Sequence, residues 1–206
     1  MKDPRFPKFV VLINGLVPLA LLGWDAYQHQ LGANPIEFAL RTTGMMALVF
    51  LTLSLAVTPI RKITGKNWLS HFRRMLGLFA FWYAVIHLAI YFTFDRSLSP
   101  VAVVKDTAAR PFILLGMTAL IMMIPLAITS TNAMIKRLGA AKWKALHRLA
   151  YVAAIAGVAH YYLLVKADTR KPIGFAIVLA ALFAYRIYAA WAPASPKPRV
   201  PFAKAA

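Results

Sequence analysis

The chain contains no cysteine, and only six of its 206 residues are acidic. The first absence excludes disulfides, thiolate-ligated haem and cysteine-bound iron–sulfur clusters. Histidine is left as the strong transition-metal ligand present in number, with five copies. The scarcity of acids means that no carboxylate falls inside an apolar core, where a proton relay or a transporter's ion site needs one. No Gly-rich phosphate loop, dinucleotide-binding fingerprint or Ser–His–Asp grouping occurs at any useful spacing. No internal repeat or second domain is evident.

What is abundant is apolar: 61% of the residues are hydrophobic and 15% are charged. That balance is foreign to a soluble domain and ordinary for a polytopic membrane protein. A net charge of +18 raises the question of nucleic acid. The charge sits in short blocks between apolar runs, however, with no basic face to carry a duplex, so a nucleic-acid partner is not expected and membrane topology accounts for it better. Six apolar segments are predicted, at Phe9–Tyr27, Thr43–Ile60, Met75–Phe94, Phe112–Thr129, Leu149–Val165 and Ile173–Trp191. Each approaches the ~17–25 residues of a membrane helix. The first has basic flanks like a signal peptide but no clean small-x-small cleavage site, and is read as a retained helix. Pro18 and Pro125 are expected to kink their segments, and Pro59 to mark the end of the second. Residues 193–206 read as a Pro- and Lys-rich disordered tail.

Counting Lys and Arg by alternate loops puts 17 on one side and seven on the other, and five of the six acids fall on the second side. The positive-inside rule then makes both termini cytoplasmic. The expected fold is all-α, a six-transmembrane-helix bundle over residues 1–192.

Two histidines lie deep inside these segments. His87 is 13 residues beyond Arg74 and His160 is 12 beyond Arg148. At ~1.5 Å per residue both imidazoles lie roughly 18–20 Å from the basic edge, in the far half of a hydrocarbon core about 30 Å thick. An ionisable side chain at such depth points to function. The plainer reading is a pair of structural histidines hydrogen-bonded between helices. Matched depth without a nearby acid favours an axial pair on a haem iron. Phe79, Phe81, Trp82, Tyr83, Tyr91, Tyr151, Tyr161 and Tyr162 are available to wall a flat macrocycle.

Nearer the basic edge, His147 and His71 form a second candidate pair. His147 lies roughly 20 Å below His160 on one helix, but neither spacing puts two side chains on a single face. An interfacial histidine among arginines is an equal reading. His29, in an outer loop, is assigned no role. Arg73, Arg74, Lys142, Trp143, Lys144 and Arg148 could hold a phosphate and stack a flavin ring; on sequence alone, positive-inside charge and headgroup contact explain them better.

Several short motifs now stand together: LGANP at Leu31–Pro35, RTTG at Arg41–Gly44, TPIR at Thr58–Arg61 and RRMLGL at Arg73–Leu78 leading to His87. ITSTNAM at Ile128–Met134, RLG at Arg137–Gly139, W-x-x-L-H-R-L-x-Y from Trp143 to Tyr151 and H-Y at His160–Tyr161 complete them. With these the chain resembles the MsrQ (YedZ) family of haem-binding membrane subunits, in the ferric-reductase-like transmembrane group, over nearly all but the tail. The resemblance implies haem b and FMN in a six-helix protein of the bacterial inner membrane. It implies electrons drawn from a cytoplasmic flavin reductase or the quinone pool. They pass to a periplasmic molybdopterin-containing catalytic subunit that reduces methionine sulfoxide in oxidised envelope proteins. The family's histidines map to His87, His147 and His160; His71 matches none. No substrate-converting site is expected in the chain itself. The rival readings are a stand-alone membrane ferric or quinol reductase and, further off, a histidine-using transporter.

Overall fold

The structure, a computed structural model, describes residues 5–191, so the expected tail at 193–206 lies outside the described residues. The described residues form helices and contain no strand. Long helices α1 (Arg5–Tyr27), α2 (Pro35–Thr64) and α3 (Arg73–Ile90) are followed by a short α4 (Pro100–Ala109) and a long α5 (Pro111–Ile128). Two seven-residue helices, α6 (Asn132–Leu138) and α7 (Ala140–Leu146), lead to α8 (Leu149–Leu164) and α9 (Arg170–Trp191). The six predicted apolar segments are α1, α2, α3, α5, α8 and α9, and five of these are long and apolar enough to cross a membrane. The exception is α8, whose 16 residues reach about 24 Å at ~1.5 Å each. The chain is a multi-helix membrane bundle.

Local chemistry sets the helix ends. Asn34 caps α2 by accepting from the Glu37 N–H, with Pro35 at the first helical position, and Gly65 at φ 68° closes it in the left-handed conformation. Ser99 caps α4 and Thr131 caps α6 in the same way. These two short helices, with α7, replace what the sequence presents as plain loops. Beyond α3 the chain widens into a π-helical turn at Tyr91–Asp95. The Tyr91 hydroxyl there donates to Asp106 of α4 at 2.6 Å, and Arg96 reaches the same carboxylate at 2.6 Å. The Tyr91 hydroxyl, with Arg96 and Arg110 beside it, holds the Asp106 carboxyl below the usual carboxylate range.

The core lies where α2 packs on α3 and on α8 and α9, around Leu51, Leu55, Ala80, Tyr83, Ala153 and Ala154. Large apolar side chains are exposed over the outer faces, among them Leu21, Ile121, Ile155 and Ile177. That is the pattern of a surface solvated by lipid. α1 docks through Gly15, whose carbonyl accepts from the buried Tyr83 hydroxyl at 2.8 Å and whose missing side chain makes room for the Phe79 ring.

Pro59 does not end the second segment, contrary to expectation. α2 runs through it to Thr64. A proline inside a helix frees the carbonyl four residues back, here that of Leu55. Arg186 Nη2, on α9, donates to the Leu55 oxygen at 2.7 Å, and the guanidinium also lies over the Tyr151 ring at 5.2 Å. The lost bond is replaced from another helix, so the helix continues.

Candidate functional site

The packing of α3 on α2 and of α8 on α5 turns His87 and His160 towards each other. Their ring centres are 6.2 Å apart and the ring planes cross at 85°. His87 Nδ1 lies 3.0 Å from the Leu40 carbonyl oxygen and 3.4 Å from the Thr43 hydroxyl. His160 Nδ1 lies 2.6 Å from the Phe112 carbonyl oxygen. A carbonyl only accepts, so each Nδ1 carries the hydrogen and each Nε2 keeps its lone pair. This is the arrangement of a metal-binding histidine whose tautomer is fixed by an outer partner.

The spacing suits one metal between the rings. Two imidazole–metal bonds of about 2 Å, with roughly 1 Å from each ring centre to its nitrogen, span about 6 Å. Two neutral nitrogen donors without a carboxylate or thiolate fit a haem iron, whose other four ligands come from the porphyrin. No group of three or more His, Cys, Asp or Glu suited to a bare metal ion occurs among the described residues.

The aromatic wall expected around the pair is mostly elsewhere. Phe79 and Tyr83 pack with Phe50 in the core, Tyr151 lies under Arg186, Tyr91 is engaged with Asp106, and Trp82 and Tyr162 are exposed. The aromatic neighbour of His160 is Phe112, 6.1 Å between ring centres.

At the basic end a cavity of about 200 Å³ is lined by Arg73, Arg74, Ser70, Ser130, Trp143 and His147, among others. His147 stacks on Trp143 with ring centres 3.8 Å apart, and Trp143 Nε1 donates to the Thr129 carbonyl at 2.9 Å. The Thr129 hydroxyl donates to the Pro125 carbonyl at 2.6 Å, so its oxygen accepts from His147 Nε2 at 3.2 Å. Burial, reinforced by Arg73 and Arg74, lowers the His147 pKa to about 4, so the ring is neutral at pH 7. Its Nε2 is occupied as a donor, unlike those of the deeper pair.

Of the six residues considered for a flavin, Arg73, Arg74 and Trp143 line this cavity; Lys142, Lys144 and Arg148 are exposed and do not. Arg74 also donates to Asn132 at 2.8 Å. His71 is exposed, with Nδ1 2.9 Å from its own Trp68 carbonyl, and is not brought onto His147. His29 is exposed in the turn after α1. Arg186, which enters the sequence count only as one of the basic residues of the C-terminal end, is a functional residue that the sequence did not single out: it works between helices, and the signal for it was Pro59.

Residues 43–158 match the family described as ferric reductase like transmembrane component. The chain is 46% identical over 186 residues to the protein-methionine-sulfoxide reductase heme-binding subunit MsrQ of Herminiimonas arsenicoxydans, covering 89% of this chain and 85% of that protein. It is 45% identical over 192 residues to the subunit of the same name from Ralstonia nicotianae, covering 92% and 88%. With that of Caulobacter vibrioides the identity is 46% over 183 residues, covering 86% and 87%.

Proposed function

The chain belongs to the MsrQ family, within the ferric-reductase-like transmembrane group, and from that membership we propose that it is a b-type cytochrome subunit with His87 and His160 as the axial ligands of a haem. The observation that carries this reading is the pair of imidazoles 6.2 Å apart with both Nδ1 atoms held by carbonyls, which leaves both Nε2 atoms for a metal. Haem b bound there supplies a reversible one-electron couple. The chain's residues do the rest. Leu40 and Phe112 fix the tautomers through their carbonyls and make the imidazoles stronger donors. The apolar helices around the pair exclude water and insulate the path.

Electrons enter from the cytoplasmic side, from a flavin reductase or the quinone pool. They leave on the periplasmic side to a molybdopterin-containing catalytic subunit that repairs methionine sulfoxide in envelope proteins. The reading includes a sixth crossing by α8, both termini in the cytoplasm and residence in the bacterial inner membrane. The visible spectrum of detergent-purified protein tests it: reduction should give the sharp bands of a low-spin b-type haem. A preparation without haem, from cells making it in excess, overturns the proposal and favours the transporter reading.

FMN is assigned to the basic-end cavity, its phosphate on Arg73 and Arg74 and its ring beside Trp143, with the exposed Lys142, Lys144 and Arg148 adding positive charge at the same end of the bundle. The cavity of about 200 Å³ is below the ~300–1,000 Å³ of sites that enclose a drug-sized ligand. A flavin here therefore keeps part of itself outside. Each charge-assisted contact to the phosphate is lost on substitution by alanine. The combined Arg73/Arg74/Arg148 alanine variant should release most of its flavin on purification while keeping its haem bands. Unchanged flavin content in that variant places the site elsewhere.

Orientation follows from the 17-to-seven division of Lys and Arg. Reporter fusions after Lys66 and after Asp106 should report opposite compartments, the first cytoplasmic. The same compartment from both removes the six-crossing topology.

A further inference from the structure

The two imidazoles are held by one device, built twice from separate stretches of chain. On α2, the Leu40 carbonyl accepts from His87, and Gly44, one turn further on, lies against the ring. A Cβ at Gly44 would stand 3.1 Å from both Nδ1 and Cε1 of His87. On α5, the Phe112 carbonyl accepts from His160, and a Cβ at Gly116 would stand 2.9 Å from Nδ1 and 3.1 Å from Cε1. In each case the acceptor precedes the glycine by four residues, so the two lie on one helix face. Neither glycine has a positive φ. Nothing in the backbone asks for glycine at a position where it weakens the helix. The ring contact does.

We infer that Gly44 and Gly116 are positioning residues that fix the rotation of the two axial imidazoles, an inference that rests on His87 and His160 being the haem ligands. A ring held by one N–H···O bond still swings about its Cβ–Cγ bond. A helix backbone pressed against its Nδ1–Cε1 edge removes that freedom. Two such clamps, one on α2 and one on α5, hold rings whose planes cross at 85°. Ring orientation and the hydrogen bond on Nδ1 are among the levers by which a protein tunes a haem. Near-perpendicular imidazoles leave the two π-type d orbitals of low-spin ferric iron almost degenerate. The electron paramagnetic resonance signal is then strongly anisotropic, with one large g value. Rings closer to parallel give an ordinary rhombic signal.

The test compares Gly44→Ala and Gly116→Ala with Gly77→Ala and Gly157→Ala in full-length, haem-loaded protein. The last two lie on the histidine-bearing helices, but their nearest neighbours are Ser54 Oγ at 3.4 Å and Leu48 Cδ1 at 3.5 Å, ordinary contacts. All four exchanges favour the helix alike, so a purely structural effect appears in all of them. The unsubstituted protein should show the large-g signal. Gly116→Ala should move it towards the rhombic form, Gly44→Ala should move it less, and the two controls should leave it in place. The inference is overturned by a rhombic signal in the unsubstituted protein, by an unmoved signal in Gly116→Ala at full haem content, or by equal shifts in all four variants. Should Gly116→Ala fail to accumulate, Gly44→Ala decides by the same criteria. A full low-spin spectrum in His160→Ala is a different failure, that of the ligand assignment itself.

Discussion

His160→Ala protein will purify with its haem lost, or with a residual haem that is five-coordinate and high-spin, and it will not deliver electrons to the periplasmic side. The reason is the poverty of substitutes. The chain has no cysteine to take the vacant position. His147 lies not on α8, as the sequence suggests, but in the turn between α7 and α8, and its Nε2 is already donating to Thr129. His29 and His71 are exposed at helix ends. His87→Ala should behave in the same way, because it is the other half of the facing pair and is likewise held at Nδ1 by a carbonyl. The loss should exceed the roughly 10–100-fold that removing an outer-shell partner costs a metal site. His147→Ala should keep the low-spin bands, since its ring is spent on Thr129 and Trp143. Haem per chain and the spin-state bands in the visible spectrum read all three variants. A low-spin spectrum of full intensity from His160→Ala would sink the assignment.

Arg186→Ala should be the most damaging substitution outside the haem pair, and Pro59→Ala should repair much of it. Removing the guanidinium leaves the Leu55 oxygen with no donor, because Pro59 has no N–H to give. An orphaned acceptor costs about 1–3 kcal/mol. In the double variant Pro59→Ala/Arg186→Ala, the new N–H at position 59 makes the ordinary helical bond to Leu55. The remaining deficit is what Arg186 gives Tyr151 and Leu182, the contact over the ring and the hydrogen bonds from Nε to the Tyr151 hydroxyl at 3.2 Å and from Nη1 to the Leu182 carbonyl at 3.3 Å. Unfolding in detergent, followed as a complete double-mutant cycle, measures the coupling. Additive losses from the two single changes would mean that Arg186 does not serve the carbonyl.

The long helices were legible because the bilayer imposes a length and an apolarity that a sequence cannot hide. The meeting of His87 and His160 was legible for a related reason: arginines at one membrane edge give a common origin from which depth is counted. What could not be read depends on contacts between helices. Arg186 and Lys197 look alike in a tally of basic residues; only the arrival of α9 beside α2 puts Arg186 within 2.7 Å of Leu55. Pro59 looked like a terminator because the donor that replaces its N–H lies 131 residues from Leu55 in sequence. Gly44 and Gly116 carried no turn signature, since their reason is a neighbouring ring and not a dihedral angle. The six basic-end residues come from two loops that the sequence joins only by a common membrane edge. The helical turns of α7 then separate Trp143, which faces the cavity, from Lys142 and Lys144, which do not.

Each imidazole takes both its carbonyl and its glycine from a helix earlier in the chain, so each half of the site is finished before it meets the other. Synthesis proceeds from the N-terminus, and 73 residues separate His87 from His160. At about 5–20 residues per second, one ligand is in place roughly 4–15 s before its opposite number exists. The first hairpin must wait in the membrane with an oriented nitrogen and nothing to hold. With His87 and His160 as the proposed ligands, haem loading is a late event in biogenesis.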